Sequence, residues 1–154
     1  METIIAMLIS ALIIVESDGN ANAIGDHGKA VGVLQIHAEC IQDVSRITGK
    51  SYTLADRRSV SKSREICAAY LKHYGRQYER ITGKAATAET LARIWNGGPC
   101  GHKNPRTRRY WAKVQAALRR QGHASIAGGM RSARGQAVTQ WKRQGRRTYY
   151  RNRQ

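Results

Sequence analysis

The chain has 154 residues, with 27 lysines and arginines against 10 aspartates and glutamates, which gives a formal net charge of +17. This length is enough for one domain with a modest core, and a hydrophobic content of 41% with 2 prolines predicts a folded chain. The charge excludes an ordinary neutral cytosolic domain and indicates an anionic partner such as nucleic acid, a membrane surface or a bacterial wall.

The first element is an apolar segment over residues 4–15, interrupted by Ser10 alone. A signal peptide would have an apolar region of this length, but here the leading segment carries Glu2 and no lysine or arginine, and no convincing cleavage site follows. The segment is also too short to span a bilayer. We therefore expect a buried core helix, with a targeting segment as the alternative.

A loop and a short helix follow. Residues 17–30 are rich in Gly, Asn and Asp, which predicts an ordered loop or a short hairpin, and residues 31–36 form a short apolar piece. The next pattern predicts a helix over residues 38–48 that ends at Gly49.

Three more helices are predicted before the C-terminal region. The first covers residues 61–81 as a long amphipathic helix with a weak point at Gly75. Thr87 is placed to cap the second, which runs to Trp95 before an Asn-Gly-Gly-Pro sequence breaks it. Thr107 is placed to cap the third, whose apolar face is formed by Tyr110, Trp111, Val114 and Leu118.

The C-terminal region is strongly basic. Residues 1–89 hold 11 basic and all 10 acidic residues, whereas residues 90–154 hold 16 basic residues and no acidic one. Acidic chemistry must therefore lie in the first part of the chain. We expect a catalytic domain over residues 1–121 and a basic tail over residues 122–154 that is disordered or forms a weak helix around residues 136–143.

The cysteines and histidines form no metal-binding or disulfide pattern. Cys40, Cys67 and Cys100 make no Cys-x-x-Cys pair and leave an odd thiol, so a disulfide scaffold is excluded and a reducing site of synthesis is favoured. Cys67 lies on a predicted helix and is expected to be a small core residue. No histidine pair has zinc-ligand spacing, and His102 lacks partners nearby, so we expect no metal and no cofactor.

Glu16 is the candidate catalytic residue that physical reasoning selects. It follows the apolar segment directly, where burial and the negative end of the helix dipole both disfavour the carboxylate and raise its pKa. A carboxyl group that stays protonated near neutral pH is what a general acid needs to protonate a leaving oxygen, as in glycoside cleavage. The alternative is that Glu16 is merely the first solvated residue after a core helix.

Four motifs occur in order along the chain, and each alone would be a weak signal. They are Glu16-Ser17, the segment 28–36 ending in Gly-Val-Leu-Gln-Ile, the segment 92–99 with Trp-Asn-Gly-Gly-Pro, and Thr107 to Tyr110 followed by Lys113. Together they resemble the superfamily of goose-type lysozymes and lytic transglycosylases (SLT), and the resemblance covers about residues 4–118.

The resemblance implies a mainly helical, lysozyme-like α+β domain with a minimal β-hairpin, and a role for each matching residue. Glu16 would be the catalytic acid, oriented by Ser17 and contacted by Tyr110. Trp95 stands at a position that is usually Tyr, and an aromatic face can pack on a sugar ring. Gln35 and Asn96 carry amide side chains, which can recognise N-acetyl groups. The residues expected to line the sugar cleft are Ser17, Gln35, Ile36, His37, Trp95, Asn96 and Tyr110.

Asp26 bears on the type of reaction. It stands nine residues before Gln35, where the resemblance places Ser in lytic transglycosylases and a water-positioning carboxylate in goose-type lysozymes. A second carboxylate allows hydrolysis, with Asp26 activating water, whereas without one the substrate's own hydroxyl closes an anhydro ring. His37 replaces a further acid of the goose-type pattern, and Asp18 is a weaker candidate base that is more simply a loop-capping residue.

We therefore expect a monomeric muramidase that cleaves the β-1,4 bond between N-acetylmuramic acid and N-acetylglucosamine in peptidoglycan. Two alternatives stay open: a lytic transglycosylase, and a non-enzymatic protein that binds nucleic acid. The tail is expected to contact anionic wall polymers, lipopolysaccharide, membrane or nucleic acid, or only to aid solubility. Without a recognisable leader, the chain is similar to a phage lysin that is made in the cytoplasm and acts on the wall, with a secretion-system accessory enzyme as the alternative.

Overall fold

The computed structural model describes residues 1–122, and Met1–Leu118 form one compact unit. The weak helix expected around residues 136–143, and most of the basic tail, lie outside the described residues. Within them, five helices accompany one two-stranded antiparallel sheet. The elements are α1 (Glu2–Ser17), β1 (Ile24–Gly25), β2 (Ala30–Val31), α2 (Ala38–Thr48), α3 (Val60–Thr82), α4 (Ala88–Gly97) and α5 (107–122). The predicted mainly helical, lysozyme-like architecture with a minimal hairpin is confirmed.

Helix α1 is the apolar segment near the N-terminus, and it lies in the core as expected. Its buried side chains include Ile5, Leu8 and Leu12, and it packs against α3 and α4. The helix ends because Asp18 adopts a left-handed conformation with φ of 51°. The last turn of a buried helix therefore carries Glu16 to the edge of the core. No described helix is both long and apolar enough to cross a bilayer.

The hairpin that follows α1 is short and tightly turned. Ile24 pairs with Val31 and Gly25 with Ala30, and a 3-10 turn over Asp26–Gly28 joins the two strands. All three turn residues have left-handed backbones, with φ of 46°, 54° and 91°. A left-handed conformation costs a non-glycine residue of order 1 kcal/mol, so the surrounding contacts must hold this turn in place.

Most of the predicted helix signals are confirmed. Helix α2 ends at Gly49, whose φ is 69°, and the hydroxyl of Thr87 accepts a hydrogen bond from the backbone N–H of Thr90 at the start of α4. Helix α3 runs unbroken through Gly75. A Cβ at that glycine would lie 2.9 Å from Cδ2 of Leu91, so the glycine allows α4 to approach α3 closely.

The predicted capping role of Thr107 is wrong. Thr107 lies in the first turn of α5 and is buried, and its hydroxyl shares its proton between the carbonyl oxygens of Asn104 at 2.7 Å and Gly101 at 2.9 Å. The same hydroxyl accepts a hydrogen bond from Nε of Arg93 at 3.0 Å. It therefore joins α4, the connecting turn and α5, which a local capping pattern does not reveal.

The three cysteines are free thiols, and Cys67 is fully buried in the core between the helices, as its position on α3 predicts.

Two glycines with left-handed backbones offer a matched test of the packing around the hairpin. A Cβ on Gly32 (φ 81°) would lie 1.8 Å from the carbonyl oxygen of Arg57, whereas a Cβ on Gly49 (φ 69°) would meet open space. We expect Gly32→Ala to lower the free energy of unfolding by about 3 kcal/mol or more, and Gly49→Ala by about 1 kcal/mol. Urea denaturation of the full chain measures both, and equal losses would contradict the close packing at Gly32.

Candidate active site

A cavity of about 440 Å³ opens where α1 ends, and it collects most of the residues selected from the sequence. Its walls come from the end of α1, the hairpin, the start of α2, the middle of α3 and the end of α4. Predicted residues in the lining are Glu16, Asp26, Gln35, Ile36, His37, Trp95 and Asn96, and the cavity adds Ala30, Cys40 and Tyr70.

Glu16 is the half-buried carboxyl group of this cavity. Burial raises its pKa, and this effect outweighs the hydrogen bonds from Tyr110 and Trp95 and the charge of Lys113, which favour the carboxylate. The hydroxyl of Tyr110 donates to Oε1 of Glu16 at 2.6 Å. Glu16 therefore combines a fixed orientation with a raised affinity for its proton, as a general acid requires.

Two aromatic residues hold Glu16 from α5 and α4. The pKa of Tyr110 is raised far above its usual value by burial and by the Glu16 charge, so its hydroxyl stays protonated and remains a donor. Trp95 meets Tyr70 edge to face, with ring centroids 5.6 Å apart. Tyr70 is 8% exposed and lies in α3, so the indole that contacts Glu16 rests on the core.

Asp26 faces the same cavity from the strained hairpin turn. Its side chain is 54% exposed, and its Oδ2 lies 3.5 Å from Nε2 of His37, which precedes the first turn of α2. The cavity thus contains one carboxyl group that is largely shielded from water and one that is exposed to it. Two carboxyl groups in such different environments are suited to different roles in acid and base chemistry.

Gln35 and Ser17 shape the loop beside the cavity. Nε2 of Gln35 donates to the carbonyl oxygens of Gly32 at 2.9 Å and Ala23 at 3.3 Å, so this donor is already engaged within the protein. A Cβ on Gly25 would lie 2.4 Å from Oε1 of Gln35, so the turn approaches the amide closely. Ser17 does not line the cavity, and its hydroxyl donates to the carbonyl of Val33 at 2.9 Å.

Arg57 secures this loop from the other side, a contact that the sequence pattern did not indicate. Its Nη1 lies 3.1 Å from the carbonyl oxygen of Lys29 and 3.2 Å from that of Ile36, and donates to both. Its own carbonyl accepts a hydrogen bond from the hydroxyl of Ser63 at 2.9 Å. The backbone of the hairpin is thereby fixed to the start of α3, which holds the neighbouring Asp26 turn.

Sequence reasoning missed Tyr70 and Cys40 as cavity residues. The sequence pattern identified Tyr70 only as part of the apolar face of the amphipathic helix α3. That periodicity does not distinguish an aromatic ring in the core from one that lines a cavity. Burial, together with the charge of Asp43, raises the pKa of the Cys40 thiol to about 12, so it is not a thiolate nucleophile. Within residues 1–122, no group of three or more His, Cys, Asp or Glu side chains could hold a metal ion.

The helical fold, the small hairpin and the carboxyl group at the end of a core helix define a lysozyme-like domain. Comparison with known families agrees: residues 1–117 match the Transglycosylase SLT domain family, and the chain belongs to it.

Similar proteins include two oyster lysozymes. The chain is 46% identical to Lysozyme 1 of Crassostrea virginica over 43 residues and 46% identical to a lysozyme of Magallana gigas over 44 residues. These matches cover 28% and 29% of this chain, and 23% and 32% of the respective relatives. The chain therefore matches less than a third of the length of either relative. A chain in the crystal structure of Aeromonas hydrophila PliI with Meretrix lusoria lysozyme superposes with a TM-score of 0.58 and 27% identity, over 71% of this chain and 87% of that one.

The hydrogen bond from Tyr110 to Glu16 leads to a prediction about the pKa of Glu16. Because this bond favours the carboxylate, Tyr110→Phe should raise the pKa of Glu16 further above its usual value. Carboxyl ¹³C NMR titration measures the change. Tyr52→Phe is the matched control, since the Tyr52 hydroxyl donates to Glu65 at 2.8 Å and helps hold the Glu65 pKa at about 2. The control should raise the pKa of Glu65 and leave the pKa of Glu16 unchanged. An unchanged Glu16 titration in Tyr110→Phe would contradict the role assigned to Tyr110.

Proposed function

We propose that this domain is a muramidase that hydrolyses the β-1,4 bond between N-acetylmuramic acid and N-acetylglucosamine in peptidoglycan. The observation that carries the proposal is the half-buried Glu16, its pKa raised by burial, in a cavity that also contains the exposed carboxylate of Asp26. Membership of the SLT family and similarity to proteins named lysozymes support the same class of substrate.

In the proposed reaction Glu16 is the general acid. Its proton passes to the glycosidic oxygen as the bond from that oxygen to the anomeric carbon breaks, and the bonding electrons leave with the oxygen. Asp26 accepts a proton from water as the water oxygen bonds to the anomeric carbon. Tyr110 and Trp95 stabilise the Glu16 carboxylate that forms, and they are already in position before proton transfer.

Sugar recognition is assigned to the remaining cavity residues. Trp95 offers a half-buried aromatic surface for a pyranose ring, and the exposed amide of Asn96 has both a donor and an acceptor for an N-acetyl group. Gln35 would contribute its carboxamide oxygen and His37 its ring, while Ile36 supplies backbone and apolar wall. The role proposed for Ser17 is positional, because its hydroxyl ties the end of α1 to Val33.

Replacing the acid tests the mechanism. We expect Glu16→Gln to reduce lysis of purified peptidoglycan at least about a hundredfold, because an amide cannot deliver the proton. The variant should also be more stable than the parent at alkaline pH, where the parent must bury a carboxylate. Glu39→Gln, at an exposed position in α2, is the control and should retain activity. Near-parental turnover by Glu16→Gln would sink the proposal.

A lytic transglycosylase is the second candidate, favoured by the family to which the chain belongs. Glu16 would act as the acid in both reactions, but the product of the transglycosylase is closed by the substrate's own hydroxyl. Mass spectrometry of digested muropeptides distinguishes the two. Reducing ends support hydrolysis, and 1,6-anhydro ends support the transglycosylase.

A variant at Asp26 distinguishes the hydrolase from the transglycosylase. If it activates water, Asp26→Asn should reduce hydrolysis at least about tenfold while Glu16 continues to titrate with a raised pKa. Asp18→Asn is the matched control, because Asp18 ends α1 with a left-handed backbone that Asn also tolerates, and it does not line the cavity. Equal hydrolysis rates for parent and Asp26→Asn would remove Asp26 from the mechanism.

The biological setting is part of the same proposal. We place its action at the bacterial wall, with synthesis in the cytoplasm and release as a phage lysin. Attraction of the basic tail to anionic wall polymers would aid binding to the wall.

A further inference from the structure

A second cavity, of about 560 Å³, lies between the last turn of α2 and the C-terminal half of α3. It shares no lining residue with the cavity around Glu16. We call it the basic groove, and its lining includes Ile47, Ala69, Lys72, Arg76 and Arg80.

The cations of the basic groove follow a straight line along α3. Lys72, Arg76 and Arg80 are four residues apart, so they lie on one side of the helix at intervals of about 6 Å. Like charges at this spacing destabilise an isolated helix. A row of anionic groups bound along the groove would relieve that repulsion.

Few acidic groups offset these cations. The groove lining contains no Asp or Glu. Glu2, in the exposed first turn of α1, pairs with Lys72 at 2.5 Å, and its carboxylate also interacts with the charge of Arg76. Glu79 is engaged elsewhere, since its Oε1 accepts the backbone N–H of Ala86 at 3.0 Å. Within the described residues, no ion pair joins Arg76 or Arg80 to a carboxylate.

We propose that the basic groove binds a polymer with phosphodiester repeats, of the chemical class of poly(glycerol phosphate), whose chain runs along α3. The planar guanidinium groups of Arg76 and Arg80 match phosphate oxygens, and Ile47 and Ala69 supply apolar contacts for the carbon backbone between phosphates. A concave groove with its cations in a row suits a linear chain better than the plane of a lipid surface. Binding here would hold the enzyme on phosphate-bearing polymer without occupying the catalytic cavity.

The test measures binding of the full chain to lipid-free poly(glycerol phosphate) by calorimetry at several salt concentrations. Arg76→Gln/Arg80→Gln should weaken binding about tenfold and reduce the slope of log affinity against log salt by roughly 1.5, as expected for two lost phosphate contacts. Arg58→Gln/Arg106→Gln removes the same charge at two exposed positions that line neither cavity, and should weaken binding less than threefold. Cleavage of soluble glycan fragments should be unchanged in both variants.

Two outcomes would overturn the proposal. Equal or greater weakening in the Arg58→Gln/Arg106→Gln control would show that binding follows net charge and not the groove. A groove variant that loses binding to vesicles of anionic phospholipid while retaining binding to the lipid-free polymer would show a membrane contact instead.

Discussion

The hydrogen bond from Tyr110 to Glu16 joins the first helix of the domain to its last. Glu16 reaches this bond because one face of α1 is buried in the core and the helix ends at Asp18, whose backbone is left-handed, two residues after Glu16. Tyr110 reaches it because α5 is fixed to α4 through the buried hydroxyl of Thr107. The bond needs α1 and α5 packed in their places, so it forms only when the helical core of the described domain is assembled. The surroundings of Glu16 therefore depend on tertiary packing, although the motif that identifies this residue is local in the sequence.

Asp26 depends on a different constraint. Its turn has left-handed backbone at three successive residues, which the chain alone would not favour. The turn is held because Gly32 packs directly against the backbone of Arg57, and because the Arg57 guanidinium binds the carbonyl oxygens of Lys29 and Ile36. These contacts fix the backbone and leave the Asp26 side chain exposed beside His37. A fixed backbone that carries an exposed side chain suits the role proposed for Asp26.

The sequence predicted the helices well because their signals are local. Apolar periodicity, the Thr87 cap and the stop at Gly49 each act within a few residues, and each has its expected effect in the structure. Thr107 departs from its predicted role since its partners come from a neighbouring turn. Most of the candidate residues selected from the motifs line one cavity. Tyr70 and Arg57, in contrast, contribute to it through contacts with residues far away in the sequence. No periodicity identifies such contacts before the chain has folded.

The positive charge of the described residues lowers the pKa of Glu16 less than the net charge of the chain suggests. Surrounding cations should favour the carboxylate and lower its pKa, yet charges farther away than about 8 Å are largely screened at physiological ionic strength. Among the described residues, Lys113 is the cation that lowers the pKa of Glu16, and its effect is smaller than that of the two hydrogen bonds and of burial. Desolvation at the packed end of α1 therefore outweighs the charge of the described cation that acts on Glu16. The attraction proposed between the basic residues and an anionic wall polymer is therefore compatible with a raised pKa of Glu16, because burial acts on Glu16 locally whereas exposed charges act on a distant polymer through solvent.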